Sequence, residues 1–147
     1  MSTKKISGLD NIRLFEPRDY EALADLTRAL YPDHADSAAE IRFHDEHRDP
    51  KVLWKRYVWI EDARVVARGG YSQNAWSFHP QRFWIEVEVH PDYQERGIGS
   101  AFYGFLEEEV MEHEPIKLQT ETGDLHPRGI AFEVFALLSR KANRFSR

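Results

Sequence analysis

Apolar and polar positions alternate without a break from Phe83 to His90. Phe83, Ile85, Val87 and Val89 take one side; Trp84, Glu86, Glu88 and His90 take the other. A period of two predicts a strand with one apolar face. Pro91 lacks a backbone donor and ends it. From Ser100 the spacing turns helical. Ala101, Phe102, Phe105, Leu106 and Val110 form an apolar stripe, with Glu107, Glu108 and Glu109 to the side or outside.

The same reading extends over the rest of the chain. Ile12 to Phe15 reads as a short first strand. Pro17 suits the first turn of a helix, and Tyr20, Leu23, Leu26 and Leu30 carry it to Tyr31-Pro32. Asp36 or Ser37 caps a second helix, supported by Glu40. That helix contains Ile41 and Phe43 and stops before Asp49-Pro50. Val52 to Ile60 is rich in β-branched and aromatic residues and predicts a strand. Val65 to Tyr71 follows a turn at residues 61–64 as its antiparallel partner. Gly69-Gly70 marks a bulge or a close approach by another backbone. Trp76, Phe78 and Pro80 fall in a loop. Of Trp54, Trp59, Trp76 and Trp84, most are expected in the core. Ile116 to Thr120 alternates as a fifth strand. After a turn at Gly123-Asp124, His126-Pro127 opens a helix with Ile130, Ala131, Val134, Phe135 and Leu138 on one side.

Composition narrows the class. The 147 residues suit one domain, with residues 1–10 a loose leader and 139–147 a basic tail. Net charge is -5 and the pI about 5.8. That balance argues against a nucleic-acid binder, which would show a basic face. The absence of cysteine removes disulfides, zinc-thiolate sites and a cysteine nucleophile. No apolar run approaches the ~20 residues of a membrane span. The first ten residues carry two lysines but no apolar segment, so no signal peptide is read. A cytoplasmic protein is the expectation. Glu40, His44, Asp45 and His47 share one predicted helix, but no third strong ligand has a fixed spacing. A solvated polar face is favoured over a metal site.

Candidate chemistry lies between the central strand and helix, at Gln94-Glu95-Arg96-Gly97-Ile98-Gly99-Ser100. The first amides of a helix have no intrahelical acceptor and carry partial positive charge, so they suit a phosphate. Gly97 and Gly99 lack a Cβ and admit a ligand close to the backbone. A bare G-x-G also fits an ordinary strand-to-helix turn. No Gly-Lys-Ser/Thr follows, and Phe102 stands where a third glycine would complete G-x-G-x-x-G.

The longer pattern Val89-x-Pro91-x-x-Gln94-x-x-Gly97-x-Gly99 resembles the acetyl-coenzyme A signature of the GNAT N-acetyltransferase superfamily. The resemblance implies an α/β (α+β) fold: a mixed, mostly antiparallel sheet flanked by helices on both faces, in the order β-α-α-β-β-β-α-β-α. It implies that the amides of Arg96 to Ser100 cradle the coenzyme A pyrophosphate. Gln94 and Glu95 open that turn. The pantetheine arm would run beside the strand ending at Val89, and an amide near Val87 to Val89 would polarise the thioester oxygen. Acetyl-CoA is then a co-substrate, with no metal. The C-terminal resemblance is partial. Glu133 stands where many members carry a tyrosine acid, which leaves Tyr93, Tyr103, water or no group at all for that role. No sixth or seventh strand is read after Phe132. That predicts a homodimer, a second domain, or a tandem arrangement covering the sheet edge.

Acyl transfer to an amine benefits from a base. Glu86 and Glu88 lie two apart on a strand, on one face and about 7 Å apart, so either can take the amine proton. The alternative is that they are exposed or paired with arginine. The leading expectation is an N-acetyltransferase acting on a primary amine of a small molecule or peptide. A catalytically silent acyl-CoA sensor and the structural half of a tandem protein are the alternatives.

Overall fold

The computed structural model describes residues 9–33, 35–73 and 80–120. Among them lie five strands and three α-helices. These are β1 (Ile12–Leu14), α1 (Tyr20–Leu30), α2 (Ala38–Glu46), β2 (Trp54–Glu61), β3 (Arg64–Gln73), β4 (Arg82–Val89), α3 (Ile98–Val110) and β5 (Lys117–Thr120). The sheet order is β1-β2-β3-β4-β5. All pairings are antiparallel except β4 with β5. The expected mixed, mostly antiparallel sheet is therefore present in the expected element order. The helix expected from His126 and the question of further strands fall outside the described residues.

Strand periodicity divides the sheet into two faces. Tyr57, Trp59, Ala67, Tyr71, Phe83 and Ile85 turn to one side and meet Ile98, Phe102, Leu106 and Val110 of α3 in a single buried cluster. Helix α3 comes very close to β3. A Cβ on Gly69 would stand 2.8 Å from the Phe102 ring and 3.1 Å from Leu106. The neighbouring Gly70 faces the opposite way, where a Cβ would stand 2.2 Å from the Lys55 carbonyl oxygen. Both glycines thus mark close approaches. The bulge lies elsewhere, between Trp59 and Ile60.

The second face carries α1 and α2. Leu23 and Ala24 of α1 pack with Ile41 of α2. Ser37 caps α2 by accepting the Glu40 amide at 3.1 Å, and Glu40 accepts the Ser37 amide at 2.8 Å. This reciprocal arrangement satisfies two amides at once. A polar cluster ties α2 to the sheet. The buried Asp45 carboxylate accepts from both terminal nitrogens of Arg56, at 2.7 and 3.1 Å, and from the Tyr20 hydroxyl at 2.7 Å. Burial alone would push the Asp45 carboxyl up. Arg56, Tyr20 and Arg48 outweigh that and hold it below its ordinary value. Burial and the bond to Asp45 push the Tyr20 hydroxyl up to about 12. Near the start of α1, Arg13 grips the buried Asp19 through two bonds of 2.8 and 2.9 Å.

Three expectations need correction. Helix α3 begins at Ile98 rather than Ser100, because Gly97 takes a left-handed φ of 87° and starts the helix earlier. Glu107 is buried at 3% exposure rather than outside, and Glu109 accepts the Tyr57 hydroxyl at 3.1 Å. Of the tryptophans, only Trp59 among the described residues lies in the core. Trp54 and Trp84 are half-buried on the opposite face.

Asp45→Asn should lower the unfolding free energy by about 2–4 kcal/mol, because it leaves Arg56 without its charge partner. Equilibrium urea unfolding measures this. The folded-state pKa values of Asp45 and Asp19 are depressed. Their stabilisation is therefore present above the ordinary carboxylate pKa of about 4 and is lost as pH falls through the depressed values. The wild-type protein should lose stability over that acidic window, and Asp45→Asn should lose less of it there.

Candidate functional site

The site begins with the ladder of β4. The His90 amide donates to the Val66 carbonyl at 2.8 Å. By antiparallel alternation, Glu88, Glu86 and Trp84 also direct their backbone groups toward β3. Val87 and Val89 then direct theirs to the other edge. There the described pairing with β5 covers only Arg82 to Ile85. The Val89 carbonyl on that edge accepts the Gln94 side chain at 2.9 Å. Gln94 thus fixes the chain just beyond the strand.

The turn then rises into α3 through two left-handed residues, Glu95 at φ 63° and Gly97 at φ 87°. The first helical bond runs from the Ala101 amide to the Gly97 carbonyl at 3.0 Å. The amides of Ile98, Gly99 and Ser100 therefore precede the helical ladder. No side chain caps them, and the first turn holds no acidic residue. Nothing lies within 4 Å of a Cβ placed on Gly97, and only Val89 Cγ2, at 3.9 Å, meets one placed on Gly99. The result is an open row of uncapped amides beside the end of β4. An anion of pyrophosphate type fits this donor set. Arg96 does not point along that row. Its guanidinium lies 4.8 Å over the Tyr93 ring, and Arg64 lies 5.7 Å from the same ring.

On the α1–α2 face, the two carboxylates of β4 have different surroundings. Glu88 Oε1 accepts from Arg68, with the Arg68 Nε at 2.7 Å, and Glu88 Oε2 accepts the Tyr31 hydroxyl. The bond to Glu88 and burial push the Tyr31 hydroxyl up to about 12. Glu86 is exposed. It faces a cleft also lined by Arg48, Trp54, Arg68, Gly70 and Trp84. The two residues share a face, as their spacing predicts, and the alternative of pairing with arginine applies to Glu88. A separate cavity of about 410 Å³ lies between α1 and the β2–β3 turn, where Arg13 and Asp19 already satisfy each other.

Two further residues differ in their availability. Tyr93 is held between two guanidinium groups and donates to Asp62 at 3.4 Å. Tyr103 is half-buried against the core. Tyr31 and Arg68 went unread in the sequence. The only signal was charge: an arginine on the polar face of a strand, opposite a glutamate. No three metal-binding side chains converge among the described residues. Glu40 serves as a cap, Asp45 turns inward, and the His47 ring stacks on Phe43 at 4.0 Å.

The Acetyltransferase (GNAT) family model matches residues 20–132, well over half of the chain. The chain belongs to the GNAT acetyltransferase family. Solved structures agree in fold. A tandem GNAT protein from the clavulanic acid biosynthesis pathway aligns with TM-score 0.66 at 16% identity, over 86% of this chain and 42% of that one. The chain thus spans less than half the length of that relative. A putative acetyltransferase from Agrobacterium tumefaciens aligns with TM-score 0.60 at 17% identity, over 86% and 90%. A ribosomal-protein-alanine N-acetyltransferase from Brucella melitensis aligns with TM-score 0.57 at 19% identity, over 80% and 84%. No curated relative matches significantly. Among the described residues of this GNAT domain, no helix is long and apolar enough to cross a membrane.

Gly97→Ala should cost about 1–2 kcal/mol of stability, because a Cβ opposes its left-handed φ. Gly99→Ala has room for its methyl group and should leave stability unchanged or raise it by up to about 1 kcal/mol. Paired thermal and urea unfolding curves compare the two variants directly.

Proposed function

We propose that this GNAT domain is an acetyl-CoA-dependent N-acetyltransferase acting on a primary amine by direct attack within a ternary complex. The observation that carries this reading is the row of uncapped amides at Ile98, Gly99 and Ser100, set beside the end of β4. In the proposal those amides, with the backbone amides of Arg96 and Gly97, bind the pyrophosphate. Gln94 and Glu95 shape the entry to the turn. Acetyl-CoA supplies an activated acyl group as a thioester.

The chain's own groups would do the rest. Glu86 accepts the proton of the attacking amine, directly or through one water. Its exposure on the cleft suits it to that role better than Glu88, whose two oxygens are engaged. Glu88 then positions Tyr31 and Arg68 around the base. An outward amide of Val87 or Val89 holds the carbonyl oxygen as it gains charge. The carbon–sulfur bond breaks as the carbon–nitrogen bond forms, and the departing thiolate takes its proton from water, since Tyr93 is engaged elsewhere. The likeness to a ribosomal-protein-alanine N-acetyltransferase supports an amine acceptor in general terms. A cytoplasmic, dimeric protein belongs to the same proposal. Size-exclusion chromatography with light scattering tests the dimer, and a clean monomer rejects it.

Coenzyme A at 100 times its Kd should raise apparent stability by about 2.7 kcal/mol. Gly99→Ala should weaken that gain, although the variant itself folds well. Glu86→Gln should reduce kcat/KM about 100-fold. An unchanged rate in Glu86→Gln would remove the base assignment. Stabilisation by coenzyme A without thiol release across an amine panel would favour the silent sensor.

A further inference from the structure

The α1–α2 face of the sheet holds a trough whose shape follows from strand register. Two rows cross β2, β3 and β4 side by side. One is Trp54, Ser72 and Trp84; the other is Arg56, Gly70 and Glu86. In each row the middle residue is small. Two strand spacings separate the outer residues by about 10 Å. Ser72 and Gly70 therefore form a floor, and the two indoles stand at its sides. The floor cannot be filled from Gly70, because a Cβ there would strike the Lys55 carbonyl.

Charges at the trough are mostly matched in pairs. Arg56 gives both terminal nitrogens to Asp45, and Arg68 binds Glu88. Two groups differ. Arg48, just beyond α2, pairs with Asp45 through Nε at 3.5 Å. Its guanidinium carbon lies 3.9 Å over the Trp54 ring, and it lines the trough. Its two terminal nitrogens have no hydrogen-bond partner among the described residues. Glu86, at the same trough, also has none. Glu86 is near enough to act electrostatically on both Arg48 and Arg68. The trough thus offers one available cation edge, one available carboxylate and two indoles, of which Trp54 already carries the Arg48 guanidinium over its ring.

We infer that the acceptor is an amino carboxylate with a flat apolar body, of the aromatic amino-acid class. Its amine meets Glu86, its carboxylate meets the terminal nitrogens of Arg48, and its body lies over the floor of Ser72 and Gly70 against Trp84. Arg48 is then the specificity-determining residue. Its planar fork suits a carboxylate in a two-bond geometry that a lysine cannot reproduce. This inference rests on the acetyltransferase reading and adds the class of acceptor to it.

The test compares phenylalanine, phenylalaninamide and phenethylamine as acceptors in a thiol-release assay. The two compounds without a carboxylate share the amine and ring. The amide's amine is the more readily deprotonated, so a preference for the acid cannot come from nucleophile availability. The expected result is a kcat/KM for the acid at least tenfold above that for the amide, matching the weight of a charge-assisted pair. Arg48→Gln should shrink that ratio about tenfold, and Arg48→Lys should restore only part of it. Coenzyme A-induced stabilisation of each variant reports whether it is folded. Ser72→Leu, which raises the trough floor, should increase KM for all three acceptors. Turnover with equal use of acid and amide overturns the inference and leaves the acetyltransferase reading intact. A ratio unchanged in folded Arg48→Gln also overturns it. No turnover with any amine, together with no stabilisation by coenzyme A, overturns both.

Discussion

Helix α3 can lie where it does because Gly69 presents no side chain to it. The Phe102 ring and Leu106 occupy the space that a methyl group would need. This contact sets the height of the helix above the sheet and the place of its first turn. That first turn has to stand beside the end of β4 if its amides and the outward amides of Val87 and Val89 are to face one ligand. A packing requirement inside the core is thus also a positioning requirement for the site. The buried aromatic cluster of Tyr57, Trp59, Tyr71, Phe83 and Phe102 makes that height hard to change, since close-packed interiors resist small shifts.

The two faces of the sheet divide the work. The α3 face is apolar and close-packed. The α1–α2 face carries arginines and carboxylates in pairs, many of them joining elements distant in the chain. Asp45 joins α2 to β2 through Arg56 and to α1 through Tyr20. Glu88 joins β4 to β3 through Arg68 and to the residue after α1 through Tyr31. Half-buried charges are costly unless they are paired. The near-complete pairing on this face makes Arg48 and Glu86 stand out.

Much of this architecture was legible in the sequence. The alternation from Phe83 to Val89 gave the central strand and its apolar face, because a half-buried strand needs that period. Ser37 and Glu40 announced the start of α2, because capping is a local interaction. The turn after β4 was readable because its spacing is fixed by short-range backbone needs. What escaped reading was set by long-range contact. Tyr31 and Glu88 lie 57 residues apart, so no local window joins them. Glu107 sits among residues that look solvent-facing, yet helix rotation buries it. Trp54 and Trp84 carry the hydrophobicity of core residues, but strand register turns them to the cleft. The difference between Glu86 and Glu88 was likewise invisible, because it depends on which carboxylate an arginine two strands' worth of chain away can reach.

The bond from the Gln94 side chain to the Val89 carbonyl has a bearing on solubility. A strand that leaves its donors and acceptors unsatisfied along one edge is a template on which a foreign strand can grow. Gln94 occupies the acceptor at the last position of β4 and turns the backbone sharply away. An incoming chain would find the last carbonyl of that edge already occupied, which shortens the ladder it could form. The same side chain that holds the turn in place therefore discourages fibrous association at this end of β4.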